Sequence, residues 1–251
     1  MPRVATGESV LTRVVRIIEV FTAARRSLTI SEIARAAELP VPTTSRLVAE
    51  LVGHGFLVRD SGGLVRIGMR LWELAHRASP ALSLREAAMP FLEDVHHAVG
   101  DHVQLSVLDG DEVLFVERLS APGAVINYTE IAGRLPLHAS SSGLLLLAHS
   151  SPEFQERILG RSLHRYTEHT IGDADSLRRA LDSARRSGYV IAEGHIHDDA
   201  TSVAVPVTGA GDTVVAALSV IVPRHTDAFS VVPVLRTAAR ALSRALGSSN
   251  H

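Results

Sequence analysis

No cysteine occurs in the 251 residues, which excludes disulfides, thiolate metal sites and cysteine nucleophiles together. Lysine is also absent. All 25 basic residues are arginine, so Schiff-base chemistry on lysine and the lysine-bearing phosphate loop of nucleotide hydrolases are excluded. Long apolar runs are missing too: the strongest, Leu144–Ala148, is far short of the ~20 residues that span a bilayer. The N-terminus lacks the charged-then-apolar layout of a secretion signal, so a cytoplasmic protein without a membrane partner is expected. What remains is ordinary for a globular chain, with 46% hydrophobic and 21% charged residues. Its length suggests about two domains.

The net charge of −2 conceals an asymmetry. Residues 1–70 carry ten Arg against six acids, whereas the remainder carries fifteen Arg against twenty-one acids. A small basic module on a larger acidic body suggests a polyanion partner for the first part.

That first part reads as helix, helix, turn, helix and hairpin. Val10, Val14, Ile17, Ile18 and Phe21 recur at helical spacing between Ser9 and Ala24, with Ser9 as cap. Thr29 and Glu32 fit a capping box for a short second helix, which Leu39–Pro40 ends. A third helix is expected from near Pro42 to the glycines Gly53 and Gly55. Its inward positions are Thr44, Leu47, Val48 and Leu51; a step of ~100° per residue puts Ser45, Arg46 and Ala49 opposite, with Thr43 and Glu50 at the borders. Phe56–Arg59 and Leu64–Ile67 flank the turn Asp60–Gly63 as a hairpin. This is the order of a winged helix-turn-helix, in which the third helix enters the major groove. Ser31, Thr43, Ser45, Arg46, Arg59 and Arg66 are the candidate DNA contacts. Arg46 can grip a guanine edge or a phosphate, and Arg59 and Arg66 flank the turn where backbone phosphates pass. The alternative is a small helical interaction domain whose arginines face solvent.

Several segments together resemble the IclR family of bacterial transcriptional regulators. They are Ser9–Leu11, Leu28–Ala34, Leu39–Leu47, Gly55–Leu57, Ile67–Leu71, Val107–Gly110, Pro136–Ser140, Gly188–Tyr189, Ala204–Val207 and Ala217–Val220. The resemblance covers about residues 8–247 in order. Two departures lie in the reading head: Val41 and Pro42 replace a basic and a small hydroxyl residue, and Ser45 stands where histidine is frequent.

Beyond the hairpin, Arg70–Arg77 reads as a connecting helix ended by Ser79–Pro80, and Ser83 as the cap of a further helix to about Gly100 that Pro90 should kink. Strands are expected at Val103–Val107, Val113–Val116, Tyr189–Ala192, Val203–Val207 and Val214–Val222. Helices are expected at Ser140–His149, Glu153–Leu159, Asp173–Ser187 and Asp227–Leu246. The expectation is therefore an α+β chain: a winged helix-turn-helix at 8–70, a linker helix region at 71–82, and an effector-binding and oligomerisation domain at 83–247. For the last, the resemblance implies a GAF/PAS-like antiparallel sheet with flanking helices.

The resemblance further implies a metabolite pocket, a double-stranded DNA operator of near-palindromic form, and self-association as a dimer or dimer of dimers. Matched positions make Ser141, Ser142, Gly143, Glu193, Ser202 and Ser219 the candidate effector contacts. Three serines before Gly143 open a helix, where free N–H groups favour a carboxylate; alternatively Ser140 simply caps that helix. Relative to family members that bind small oxoacids, Ser202 replaces a cysteine, Ile221 a serine, Leu144 a lysine and Ala192 an acidic residue, with Glu193 adjacent. A drier pocket follows, suited to a larger or partly apolar carboxylate such as an aromatic acid, lactone or acyl compound.

One segment suggests a different chemistry. His195–Ile196–His197–Asp198–Asp199 resembles the start of the metallo-β-lactamase zinc motif, but Ala200 replaces its final histidine. The alternatives are a polar loop, a metal site or a metal-dependent hydrolase. No Gly-x-Ser-x-Gly nucleophile elbow occurs, His138 is expected to fix a loop through a backbone bond, and neither catalysis nor a cofactor is expected.

Overall fold

The computed structural model describes residues 8–124 and 131–248, and the chain divides into two compact units between Ser79 and Pro80. In the first unit, α1 (Val10–Glu19) begins on Ser9, whose hydroxyl accepts the Thr12 N–H at 3.0 Å. The helix stops before the expected Ala24, because Thr22 and Arg25 pair backbone to backbone and close a turn. In α2 (Ile30–Ala36) the Thr29 hydroxyl accepts the Glu32 N–H, and the Glu32 carboxylate accepts the Thr29 N–H at 2.7 Å. That backbone bond, then the Thr29 hydroxyl, holds the Glu32 carboxyl below its usual range.

α3 (Val41–Gly53) starts one residue before Pro42, which sits in the first turn where its missing N–H has no intrahelical partner to lose. β1 (Leu57–Arg59) and β2 (Val65–Ile67) form an antiparallel hairpin with Val58 opposite Arg66. Leu28 widens it by exchanging backbone bonds of 2.9 and 2.7 Å with Val65. Ile17, Ile33, Leu47, Leu57 and Val65 are fully sealed in the core that these elements share. The arrangement is a winged helix-turn-helix. α4 (Met69–Ala78) follows and buries none of its residues.

The second unit opens with α5 (Pro80–Val99), which takes Ser83 into its first turn and runs on through Pro90. The helix thus starts at a proline, not at the serine expected to cap it. Then come β3 (His102–Asp109), β4 (Glu112–Leu119), β5 (Arg134–Pro136), α6 (Ser141–Ala148), α7 (Pro152–Leu159), α8 (Ala174–Ser187), β6 (Val190–Glu193), β7 (Ala200–Thr208), β8 (Val214–Pro223) and α9 (Ala228–Ser248). The strands form one sheet in the order β5-β4-β3-β8-β7-β6, antiparallel throughout. β5 has no counterpart among the expected strands; its three residues pair with Glu112–Leu114 across the sheet edge.

Both faces of this sheet are covered. Val103, Val203, Val205, Val220 and Val222 point toward α5 and α9, where Leu92, Leu235 and Leu242 complete one core. Phe115, Val190, Ala204 and Ala217 point the other way, onto α6, α7 and α8. Such two-sided burial explains why β7 and β8 read as β-branched and small residues instead of an apolar–polar alternation.

Because Leu47 is fully enclosed in the first unit, Leu47→Ala should lower its unfolding free energy by about 2–5 kcal/mol. Urea unfolding monitored by the helical signal measures this; a loss under about 1 kcal/mol would show that the position is not enclosed.

Candidate functional site

Two surfaces carry the sequence candidates, one in each unit. On α3, Thr44, Leu47, Val48 and Leu51 are buried, while Ser45, Arg46, Ala49 and Glu50 face outward and Thr43 lies at the border. The Arg46 guanidinium donates to the Glu50 carboxylate at 2.8 Å, one turn along the same exposed face. An exposed pair of this kind contributes about 0–1 kcal/mol, so exchanging Glu50 for a base or phosphate is cheap. Ser31 is exposed on α2, and Arg59 and Arg66 are exposed on the two strands of the hairpin. Arg59 also donates to the Gly63 carbonyl at 3.4 Å, which tilts it back along the turn. Position of α2 is secured by Arg16 of α1, which donates to the Ala37 carbonyl at the end of that helix and pairs with Glu38 at 3.6 Å.

The second surface is a half-open cavity in the sheet face that carries α6. Its floor is set by strand register. Ala192 of β6 pairs with Ser202 of β7, and Ser202 pairs with Ile221 of β8, so the three form one cross-strand row that lines the cavity. Gln104, two residues along β3 from the row's extension at His102, lines it as well. Phe115 and Leu135 supply an apolar wall from β4 and β5.

The opposite wall is the start of α6. The Ser140 hydroxyl accepts the Gly143 N–H at 3.1 Å and so caps the helix, as one of the two sequence alternatives has it. Ser141 and Ser142 line the cavity, and their N–H groups make no hydrogen bond to any described residue. Gly143 does not line it. A Cβ there would stand 2.4 Å from the Leu137 carbonyl oxygen, so glycine permits the helix start to lie against the turn before it. Ser219 is likewise behind the wall: Ser142 donates to its hydroxyl at 3.0 Å. Glu193 points away into solvent, because it follows Ala192 by one residue in a pleated strand. Of the six candidate effector positions, the structure thus brings Ser141, Ser142 and Ser202 to the cavity and places Gly143, Ser219 and Glu193 around or away from it.

The third wall is the segment that suggested zinc. His195, Ile196 and His197 line the cavity. Among the described residues, no group of three or more His, Cys, Asp or Glu side chains is placed to hold a metal. The missing last histidine is Ala200, already inside β7, and His197 Nδ1 accepts the Asp199 N–H at 3.3 Å. Among the described residues the hydrolase alternative therefore has no ligand set to rest on. Instead, the loop is clamped from the segment before α8. Thr167 donates to the Gly194 carbonyl at 2.6 Å, and Thr170 donates to the His195 carbonyl while accepting the N–H groups of Tyr166 and Thr167 at 3.0 Å. His138 braces the same segment through its Nε2 and the His164 carbonyl, 2.9 Å apart. These partners lie 25 or more residues from the loop in sequence, which left no local signal for its role.

Nδ1 of His195 is sealed from solvent and has no hydrogen-bond partner among the described residues. A buried polar atom left unmet costs about 1–3 kcal/mol, so such an atom calls for a reason. Burial, reinforced by the nearby His169 and then His138, pushes the His195 imidazole down to about 4 from 6.5. Burial likewise lowers His138.

Comparison with known proteins aligns both units with described domains. Residues 10–61 match the IclR helix-turn-helix domain, and residues 76–244 match the C-terminal region of the bacterial transcriptional regulator IclR. The HTH-type transcriptional regulator XynR of Escherichia coli K12 is 30% identical over 241 residues, covering 94% of this chain and 96% of its own. A crystal structure of an IclR homologue from Microbacterium hydrocarbonoxydans, complexed with 4-hydroxybenzoate, is 49% identical with a TM-score of 0.90, covering 95% of this chain and 99% of that one. An IclR homologue from Microbacterium sp. strain HM58-2 is 47% identical with a TM-score of 0.63, covering 94% and 97%. Among the described residues, no helix is long and apolar enough to cross a membrane.

The histidine shifts have a consequence for stability. His195 takes up a proton on unfolding at any pH between its folded value near 4 and its ordinary 6.5, so its contribution is complete above about pH 6.5 and declines as pH falls. By pH 5 the loss from His195 should reach about 2 kcal/mol. Thermal unfolding between pH 7 and pH 5 checks this: His195→Gln should flatten the decline, and an unchanged slope would exclude His195 as its source.

Proposed function

Since the chain belongs to the IclR family of bacterial transcriptional regulators, we propose that it binds a near-palindromic operator as a dimer and responds to an aromatic carboxylate. The family assignment carries the coarser statement: a helix-turn-helix regulator with an effector-binding C-terminal domain. The finer reading rests on the geometry of the two surfaces.

For DNA, the carrying observation is the split of α3 into a buried row and an outward row that presents Ser45 and Arg46 on its N-terminal half. A recognition helix meets base edges with that end. Arg46 supplies the bidentate donor for a guanine, while Arg59 and Arg66 on the hairpin reach phosphates. For self-association, the support is exposed apolar surface in the first unit. Leu11 on α1 is 72% exposed, and Met69 and Trp72 on α4 are 66% and 56% exposed, in a helix that buries nothing. A two-fold pair of such heads would meet half-sites spaced by about one helical turn, roughly 34 Å.

For the effector, one end of the cavity offers the unpaired N–H groups of Ser141 and Ser142 at a helix start, a setting that favours an anion. Among the described residues no arginine lines the cavity, so a single carboxylate there meets oriented dipoles and hydroxyls, not a full positive charge. The remaining wall of Phe115, Leu135, Ala192 and Ile221 is apolar and suits a ring. The Microbacterium hydrocarbonoxydans relative, solved with 4-hydroxybenzoate, adds weight to an aromatic acid as the ligand class. Regulation then requires the acid to prefer one of two arrangements of the chain, since equal affinity for both shifts nothing.

Fluorescence anisotropy on operator duplexes tests the DNA reading. Arg46→Ala should cost about 1–3 kcal/mol and relax preference at one base pair of each half-site. An equal loss on every sequence, with the salt slope reduced by about one contact, would make Arg46 a phosphate anchor instead. The same assay tests self-association: Trp72→Glu should abolish the preference for a full operator over a single half-site. A preserved preference would move the self-contact off α4.

A further inference from the structure

Resting on the aromatic-carboxylate reading of the cavity, we propose that His195 selects ligands that carry an uncharged hydroxyl besides the carboxylate, by hydrogen bonding that hydroxyl through a ring nitrogen. Four observations lead there. His195 lines the cavity, and its Nδ1, closed off from solvent, has no hydrogen-bond partner among the described residues. Its neighbours on the wall are already engaged: His197 Nδ1 accepts the Asp199 N–H, Ser142 donates to Ser219, and Ser140 caps α6. The ring is also presented on a fixed backbone, since Thr167 and Thr170 hold the carbonyls of Gly194 and His195. A polar group held in place but left unmet is complementary to a ligand group that the free protein does not contain.

The chemistry of that group follows from the state of the ring. With its proton affinity lowered to a value of about 4, His195 is neutral near pH 7 and offers one donor and one acceptor. A hydroxyl also offers both, so the two match without transferring charge into an apolar cavity. A second carboxylate would bring a charge that neither His195 nor any arginine of the lining compensates. The anion end belongs with the α6 start, and the hydroxyl end with His195.

Isothermal titration of the full-length protein at pH 7.5 with 4-hydroxybenzoate and with benzoate tests this. The wild type should bind 4-hydroxybenzoate at least about tenfold more tightly than benzoate, because benzoate leaves the imidazole unmet. His195→Phe keeps an apolar ring in place and should bring the two affinities within about threefold of each other, by loss on 4-hydroxybenzoate alone. His195→Asn, whose amide restores a donor and acceptor close to Nδ1, should recover part of the preference and serves also if the phenylalanine variant does not fold. Equal wild-type affinities, a preference that survives in His195→Phe, or a preference removed by Ser202→Ala instead would each overturn the role of His195 while leaving the carboxylate reading in place. Binding of neither acid by the wild type would overturn the carboxylate reading itself, and the inference with it.

Discussion

The pairing of β7 with β6 and β8 governs what the second unit can bind. With Ala192, Ser202 and Ile221 in one cross-strand row, alternate residues are committed to opposite faces: Val203 and Val220 to the core under α5 and α9, their neighbours to the cavity under α6. A slip of one residue would exchange the two sets and bring core residues such as Val203 and Val220 to the cavity floor. The sheet is buried on both sides, so the slip would also bury Glu193 where Ala192 now sits, at the cost of desolvating a carboxylate. Register is therefore heavily constrained, and the polarity of the cavity is a direct product of it.

Around that floor, the other walls are attached by long-range polar bonds. The start of α6 sits against Leu137 because residue 143 has no side chain, and the His195 loop sits where two threonine hydroxyls and a histidine brace put it. These contacts leave specific groups unmet inside: two backbone N–H groups on one wall and an imidazole nitrogen on another. Under the proposed reading, these groups meet a ligand with an anionic end, a flat apolar middle and a neutral polar end. The first unit follows a simpler logic, in which one helix buries four residues and shows the opposite row to solvent.

Much of this was legible beforehand where the signal is local. Thr29 with Glu32 announced α2, the 3–4 spacing of Thr44, Leu47, Val48 and Leu51 divided α3 correctly, and the turn at Asp109–Asp111 joined β3 to β4. Ile221, which the resemblance sets where some family members carry a serine, lies on the cavity floor. Local signals failed where tertiary partners decide. β5 is three residues long and exists only through its pairing with β4, and β7 begins at Ala200, three residues before the β-branched run suggested. The resemblance sets an acidic residue at Ala192, with Glu193 adjacent; the pleat turns the Glu193 carboxylate to solvent and puts Ala192 on the cavity.

The histidine segment shows the division most clearly. The order of local signals in the sequence fits a winged helix-turn-helix followed by alternating strands and helices, and its composition leaves no thiol or lysine chemistry open. Those conclusions depend on composition, capping and periodicity, which act within a few residues. Whether His195 and His197 formed half of a metal site, a solvated loop or a cavity wall depended on groups 25 or more residues distant, in the segment from Thr167 to Thr170. Only packing brings such groups together, and burial then sets the charge state of the ring, so the character of the site belongs to the tertiary structure.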